Sequence, residues 1–302
     1  MSKKGVLMNE FDFYTNKQLA DNLWVVTESY GVNSTFRIYV LTGKDRTVVI
    51  DSGLGAQSGL RKYIETYIGG AGKPMSVLLT HTHPDHVGGA PLFDEVYVNP
   101  LEFPDLDWNR NHFRRFGDLE WFCGHSRWID DPDADIMNFC YLHFVRELLQ
   151  EEDCIQVNDG DILEFGDICL EAIHCPSHSD GSTIYYWKKE NIAFAGDAIQ
   201  HWNGYPGKSK GKVHFNALLR FIRMMPRDVR IMNAHDPGEF GMDFAGNVLQ
   251  CYKDLIEGNN LENDSRIGYH NHFHIKKKQT GPVVQMDHYV NDVRLSYNLF
   301  DH

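Results

Sequence analysis

The sequence predicts a layered fold of strands and helices whose sheets are mixed rather than purely parallel. Three observations predict it. Two rounds of short apolar strands are each followed by helical patterns, the alternation that stacks helices on sheets. The turns Gly43-Lys44-Asp45 and Asp159-Gly160-Asp161 stand between neighbouring strands, as hairpin turns do. Of 302 residues, 42 % are hydrophobic, enough for the core of one large domain or two smaller ones.

In chain order, Leu23–Thr27, Phe36–Leu41 and Thr47–Ile50 are β-branched and aromatic strands, the last ending at Asp51-Ser52-Gly53. Leu60, Ile64, Tyr67 and Ile68 recur at helical spacing before Gly69-Gly70. Val77-Leu78-Leu79 is a short buried strand. From 101 to 153 the pattern breaks into Trp, Phe, Asp and Arg and closes in a predicted helix over 136–151, which reads as a helical insertion. Its aromatic residues, Trp108, Phe113, Trp121 and Trp128 among them, would form a lid over a substrate pocket, or pack the insertion's own small core or a subunit interface. Short strands with turns at 159–161 and 165–167 follow over 155–173, then strands at 182–187, 192–195 and 230–232. A helix over 215–225 is ended by Pro226. Another begins at Asp243 as its cap and is closed by Gly258. This organisation gives a domain over 1–258 and a C-terminal extension over 259–302, packed on the domain or on a neighbouring subunit.

Composition limits the function. Lys and Arg total 29 against 42 Asp and Glu, a net charge of −13, which disfavours a nucleic-acid partner because phosphate backbones demand clustered cations. No run reaches the ~20 apolar residues of a membrane span, and no secretory signal follows Met1. Six scattered cysteines with no Cys-x-x-Cys pair fit reduced thiols in a cytoplasmic protein.

The chemistry concentrates in Thr80-His81-Thr82-His83-Pro84-Asp85-His86-Val87-Gly88-Gly89. Three imidazoles and a carboxylate fall within six positions directly after an apolar strand. His81 and His83 share a face if the chain is extended; Asp85 and His86 lie in the turn after Pro84 and face a second point. Neutral imidazole and carboxylate suit zinc, with iron or manganese as alternatives. His178, Asp197 and His235 also stand at strand ends, where they could complete a two-metal site with a bridging carboxylate. His201 and Gln200, just past Asp197, are candidate substrate contacts. The run His270-x-His272-x-His274 lacks a nearby carboxylate and precedes three lysines, which reads as a solvated strand face.

Over roughly residues 20–258 the chain resembles the metallo-β-lactamase-fold hydrolases. The matching blocks, in order, are Asp51-Ser52-Gly53, the His-x-His-x-Asp-His segment from His81, Pro176-Ser177-His178, Gly196-Asp197 and Ala234-His235. The resemblance implies an α+β fold: an αββα sandwich of two mixed sheets flanked by helices. It implies two zinc ions, the first held by His81, His83 and His178, the second by Asp85, His86 and His235, with Asp197 bridging and Asp51 orienting a ligand. The implied activity is a metal-dependent hydrolase whose bridging hydroxide cleaves a small carbonyl ester, lactone or thioester. Asp85, able to pass a proton as well as ligate, and His201, just past Asp197, are the candidate catalytic residues. The alternatives are a phosphodiesterase on the same site or a mononuclear-iron oxidoreductase of the sulfur dioxygenase type. Members that hydrolyse β-lactams often carry cysteine where Asp197 stands, di-iron members carry glutamate where His83 stands, and lactonases carry tyrosine where Gln200 stands. The expected partner is a small-molecule substrate, with a homo-oligomer left open.

Overall fold

The computed structural model describes residues 9–30, 35–109, 111–124, 134–266 and 285–299. His270, His272, His274 and Trp128 lie outside them. The chain divides into two compact units, Met1–Ala172 and Ile173–His302. The fold class is the expected one, α+β with mixed sheets and, among the described residues, seven α-helices.

The first unit is built on a seven-stranded sheet of β1 (Tyr14–Ala20), β2 (Leu23–Ser29), β3 (Thr35–Thr42), β4 (Thr47–Ile50), β5 (Met75–Leu78), β6 (Glu95–Val98) and β7 (Cys154–Gln156), in that order. Pairing is antiparallel as far as β4 and parallel from β4 to β7. Every residue of β4 and β5 is buried, which explains why their sequences are almost continuously apolar instead of alternating. Helix α1 (Leu60–Tyr67) buries Leu60, Tyr63 and Ile64 in one core with Val26, Ile38, Val49 and Val77. The hairpin at 43–45 joins β3 to β4, with the Gly43 amide donating to the Arg46 carbonyl at 2.9 Å.

Two expectations need correction here. The turn at 159–161 does not join paired strands: β7 pairs with β6, whereas β8 (Ile162–Phe165) pairs with β9 (Ile168–His174) around Gly166. The turn residues instead bond Ala172, whose carbonyl accepts from the Gly160 amide at 2.7 Å. The insertion does not close in a helix over 136–151. Its helices, after α2 (Pro84–Val87), are α3 (Phe103–Asn109), α4 (His112–Leu119) and α5 (Ala134–His143). Helix α5 stops at His143, and the Val145 amide donates to the Gly55 carbonyl at 2.9 Å rather than continuing the helical ladder. Leu119, Cys123, Met137, Cys140 and Phe144 of the insertion share a core with Phe13, Tyr30 and Phe36, while Phe113 is exposed.

The second unit pairs β10 (Thr183–Trp187) antiparallel with β11 (Ile192–Gly196), and β11 parallel with β13 (Arg230–Asn233). A second sheet runs β12 (Trp202–Gly204), β16 (Val293–Asn298), β15 (Gln285–Val290), β14 (Ser265–Arg266). Helix α6 (Lys208–Met224) begins seven residues before the expected Phe215, at Gly207 in a left-handed conformation (φ 86°), and ends where Met225 turns extended before Pro226. Helix α7 (Met242–Glu257) is closed by Gly258 at φ 73° as expected, but its N-cap is Gly241; Asp243 lies in the first turn and does not cap it. The C-terminal segment is no mere tail. Val293, Leu295 and Tyr297 are buried with Phe221, Val248 and Tyr252 of the two helices. Among the described residues no helix is long and apolar enough to cross a membrane.

Candidate metal centre

In the first unit, β5 runs straight into the histidine cluster. His83 is the extended N-cap of α2, with Pro84 at its first position, where a missing amide costs nothing and φ is already helical. The loop from β5 to His83 brings Nε2 of His81 to 3.1 Å from Nδ1 of His83. The helical turn then sets Asp85 and His86 side by side, with Oδ2 of Asp85 3.7 Å from Nε2 of His86. The donor contacts are thus His81 with His83 and Asp85 with His86, while the rings of His81 and His86 also stand 3.9 Å apart between centroids.

Asp51 holds this arrangement. Placed just past β4 at φ 60°, its buried carboxylate accepts from the Thr80 amide at 2.8 Å, from the Thr80 hydroxyl, and from Nδ1 of His86 at 2.9 Å. The Thr80 hydroxyl in turn faces Nδ1 of His81 at 3.1 Å. One carboxylate therefore fixes the tautomer of His86 directly and that of His81 through Thr80, turning each Nε2 lone pair outward. Thr82, between the paired histidines, donates its amide at 2.8 Å to Glu102, a carboxylate 1 % exposed. The loop after Asp51 grips α2: the Ser52 amide and hydroxyl both donate to the His86 carbonyl, and the Gly88 amide to the Gly53 carbonyl. The approach is so close that a Cβ on Gly88 would stand 1.9 Å from the Leu54 carbonyl oxygen.

A buried polar group lies behind this loop. Glu28 accepts from Tyr30 and, at 2.9 Å, from the Leu54 amide. Arg115 of the insertion donates to the Leu54 carbonyl at 2.9 Å. Burial raises the Glu28 carboxyl to about 7 against the lowering effect of those hydrogen bonds, and burial raises Asp118 to about 6.

In the second unit, three strand ends supply the other donors. Oδ2 of Asp197, beyond β11, lies 3.6 Å from Nε2 of His178 and 3.2 Å from Nε2 of His235. One carboxylate oxygen thus stands between two imidazoles. Nδ1 of His178 donates to Oδ1 of Asn203 at 3.3 Å, leaving Nε2 for Asp197's side. The backbone before His178 is braced by Tyr252, whose hydroxyl donates to the Ser177 carbonyl at 2.9 Å and lies 3.2 Å from Nδ1 of His214. Burial pushes His214 down to about 4. Asn233 accepts from the amides of His235 and Asp236.

His201 needs a correction. Expected to meet substrate, it has both ring nitrogens engaged by carboxylates, Nδ1 with Asp236 at 2.8 Å and Nε2 with Asp292 at 3.1 Å. Burial pulls its imidazole down, but the two carboxylates outweigh it and the net shift is upward. With both ring nitrogens occupied by carboxylates, neither is left to meet a substrate. Sequence reasoning missed Glu102, Asn203, Asn233 and Asp236 as supports. Asn233 and Asp236 carried a signal, since they flank His235 at a strand end; Glu102 and Asn203 carried none.

These residues fit divalent metal. Two nitrogens on one tetrahedral zinc, each at ~2.05 Å, stand about 3.3 Å apart, and the His81–His83 separation of 3.1 Å is close to that. The tautomers set by Asp51, Thr80 and Asn203 are those a ligating imidazole requires.

Known proteins agree with this reading. The profile of the Metallo-beta-lactamase superfamily matches residues 37–235. The human acyl-coenzyme A thioesterase MBLAC2 is 30 % identical over 64 % of this chain and 68 % of its own length. A hydroxyacylglutathione hydrolase from Francisella philomiragia is 24 % identical over 58 % of this chain and 54 % of its own. In structure, a metallo-beta-lactamase from Pontibacter korlensis is similar with a TM-score of 0.56 at 15 % identity, covering 80 % of this chain and 99 % of that one. A metallo-beta-lactamase family protein from Thermus thermophilus gives 0.54 at 22 % identity, covering 80 % of both. The match over two-thirds of the sequence, with the histidine cluster and its supporting aspartate inside it, means that the chain belongs to the metallo-beta-lactamase superfamily of metallo-hydrolases.

Proposed function

We propose that the protein is a dinuclear zinc-dependent hydrolase of a small acyl thioester. His81, His83 and His178 are the ligands of one ion, Asp85, His86 and His235 of the other, and Asp197 is shared. The observation that carries this reading is the paired pattern within each unit: His81 with His83 and Asp85 with His86 in the first, and one Asp197 oxygen between His178 and His235 in the second. The thioester class is supported by relatives named for acyl groups on coenzyme A and on glutathione.

Two divalent cations, when bound, lower the pKa of a shared water towards 7 and polarise the carbonyl it attacks. The protein's own residues do the rest. Asp51 keeps the imidazoles of His81 and His86 in their ligating tautomers. Asp85, beside His86 in the first donor set, accepts at its carboxylate the proton that the attacking water loses and returns it to the departing sulfur, so that water and thioester become acid and thiol. His201 acts as a positioning residue, held between Asp236 and Asp292.

The test is hydrolysis of a short-chain acyl-coenzyme A, followed by release of free thiol, beside bis-p-nitrophenyl phosphate and with metal analysis of the same preparation. Thiol release by protein carrying two zinc ions per chain is expected. Turnover of the phosphodiester alone, or one iron per chain with oxygen-dependent activity, would overturn the proposal in favour of the phosphodiesterase or dioxygenase chemistry.

A further inference from the structure

The hairpin of β15 and β16 lies beyond the family match, which ends at residue 235, and the chemistry above gives it no task. Yet two donors of the second unit are steered from it. One route is through β12. Strand β16 pairs parallel with β12, Leu295 opposite Asn203, and the indole of Trp202 donates to the Ser296 hydroxyl at 2.7 Å. That register fixes Asn203, 2 % exposed, whose Oδ1 receives Nδ1 of His178.

The other route starts at the hairpin turn. Asp292 holds Nε2 of His201, and the Arg294 amide donates to the His201 carbonyl at 2.7 Å, so the hairpin grips this residue by side chain and backbone. Nδ1 and the amide of His201 both donate to Oδ2 of Asp236, at 2.8 and 2.9 Å. The same oxygen accepts from Nδ2 of Asn233 at 2.9 Å, and Asn233 accepts from the amide of His235 at 3.2 Å. The relay is unbroken from the turn to the backbone of a proposed ligand.

We infer that the C-terminal hairpin, Gln285–Asn298, is a positioning element of the metal centre: Asp292 sets the loop of His235 through His201 and Asp236, and β16 sets the ring of His178 through Asn203. The two routes are separate and end on ligands assigned to different ions. The inference builds on the assignment of His178 and His235 as ligands under the proposed function.

A plain stabilising role predicts something else. Asp292 has 60 % of its side chain exposed, where an ion pair contributes little to folding. The experiment uses the full chain with Asp292→Ala, Asp292→Glu and Asn203→Leu, reading zinc affinity by chelator competition, the visible spectrum of the cobalt(II)-loaded protein, and the thermal midpoint of the metal-free protein. Asp292→Ala is expected to weaken one ion by roughly 10-fold or more, to alter the cobalt spectrum, and to leave the metal-free midpoint nearly unchanged. Asp292→Glu should restore affinity. Asn203→Leu should weaken the other ion while sparing the first. Wild-type affinity and spectrum in both Asp292→Ala and Asn203→Leu would overturn the inference, as would a lowered metal-free midpoint accounting for the whole loss. A wild-type chain that binds neither zinc nor cobalt would instead overturn the metal assignment beneath it.

Discussion

The two sets of donors are supported in opposite ways. In the first unit, four donors come from six consecutive residues and a single carboxylate, Asp51, serves two of them, His86 by direct contact and His81 through Thr80. In the second, three donors come from three strand ends, and each flanking histidine has its own support: Asn203 for His178, Asn233 and Asp236 for His235. A shared support makes ligands fail together, whereas separate supports let them fail one at a time.

The largest effect should come from the one residue that touches both histidines of its set. Asp197→Ala is expected to remove one or both ions and lower turnover on the order of 1,000-fold or more, as metal analysis and steady-state thioester hydrolysis would show. Full activity in that variant would end the two-metal account. Next is Asp51→Ala. Because it orients His81 and His86 alike, both ions should weaken, each by roughly 10–100-fold, in contrast to the single-ion loss expected of Asn203→Leu. Titration of the metal-free variants with zinc separates these patterns, and a one-ion loss in Asp51→Ala would erase the comparison.

A smaller effect, on stability, should come from Gly88→Ala. The new methyl would press on the Leu54 carbonyl, a backbone atom that cannot step aside, at a cost of about 3 kcal/mol; urea unfolding measures it. The smallest expected effect is one of pH. Burial raises Glu28 from 4.5 to about 7, so the folded chain holds this proton more tightly than the unfolded one. Its contribution is fully present below about pH 4.5 and is lost as pH rises through about 7. Tyr30 and Leu54 donate to it, while Asp85 and Arg115 act on it from a distance with opposite signs. Glu28→Gln should therefore flatten the fall in stability between pH 5 and 8 by about 2 kcal/mol. An unchanged slope in urea unfolding at those two pH values would show that Glu28 does not carry it.

The same contrast explains what could be read from the sequence. The contacts of His81 with His83, and of Asp85 with His86, are local: the short loop after β5, ending in the extended His83, and one helical turn after it bring both together. The strands β2, β3, β4, β10 and β11 announce themselves by β-branched and aromatic runs. Partners that meet only after folding were invisible. Glu102 reaches back twenty residues to Thr82, and Asn203 is fixed by a strand some ninety residues on. The turn at 159–161 looked like a hairpin because local turn chemistry says nothing about which sheet the next strand joins. His201 looked catalytic because its neighbours in sequence were known and its carboxylate partners were not.

The most direct test of the central claim is a crystal structure with anomalous diffraction measured at the zinc edge on protein loaded to saturation. The account predicts two anomalous peaks, one in contact with His81, His83 and His178, the other with Asp85, His86 and His235, and Asp197 touching both. A single peak, or two peaks that do not share Asp197, would contradict it.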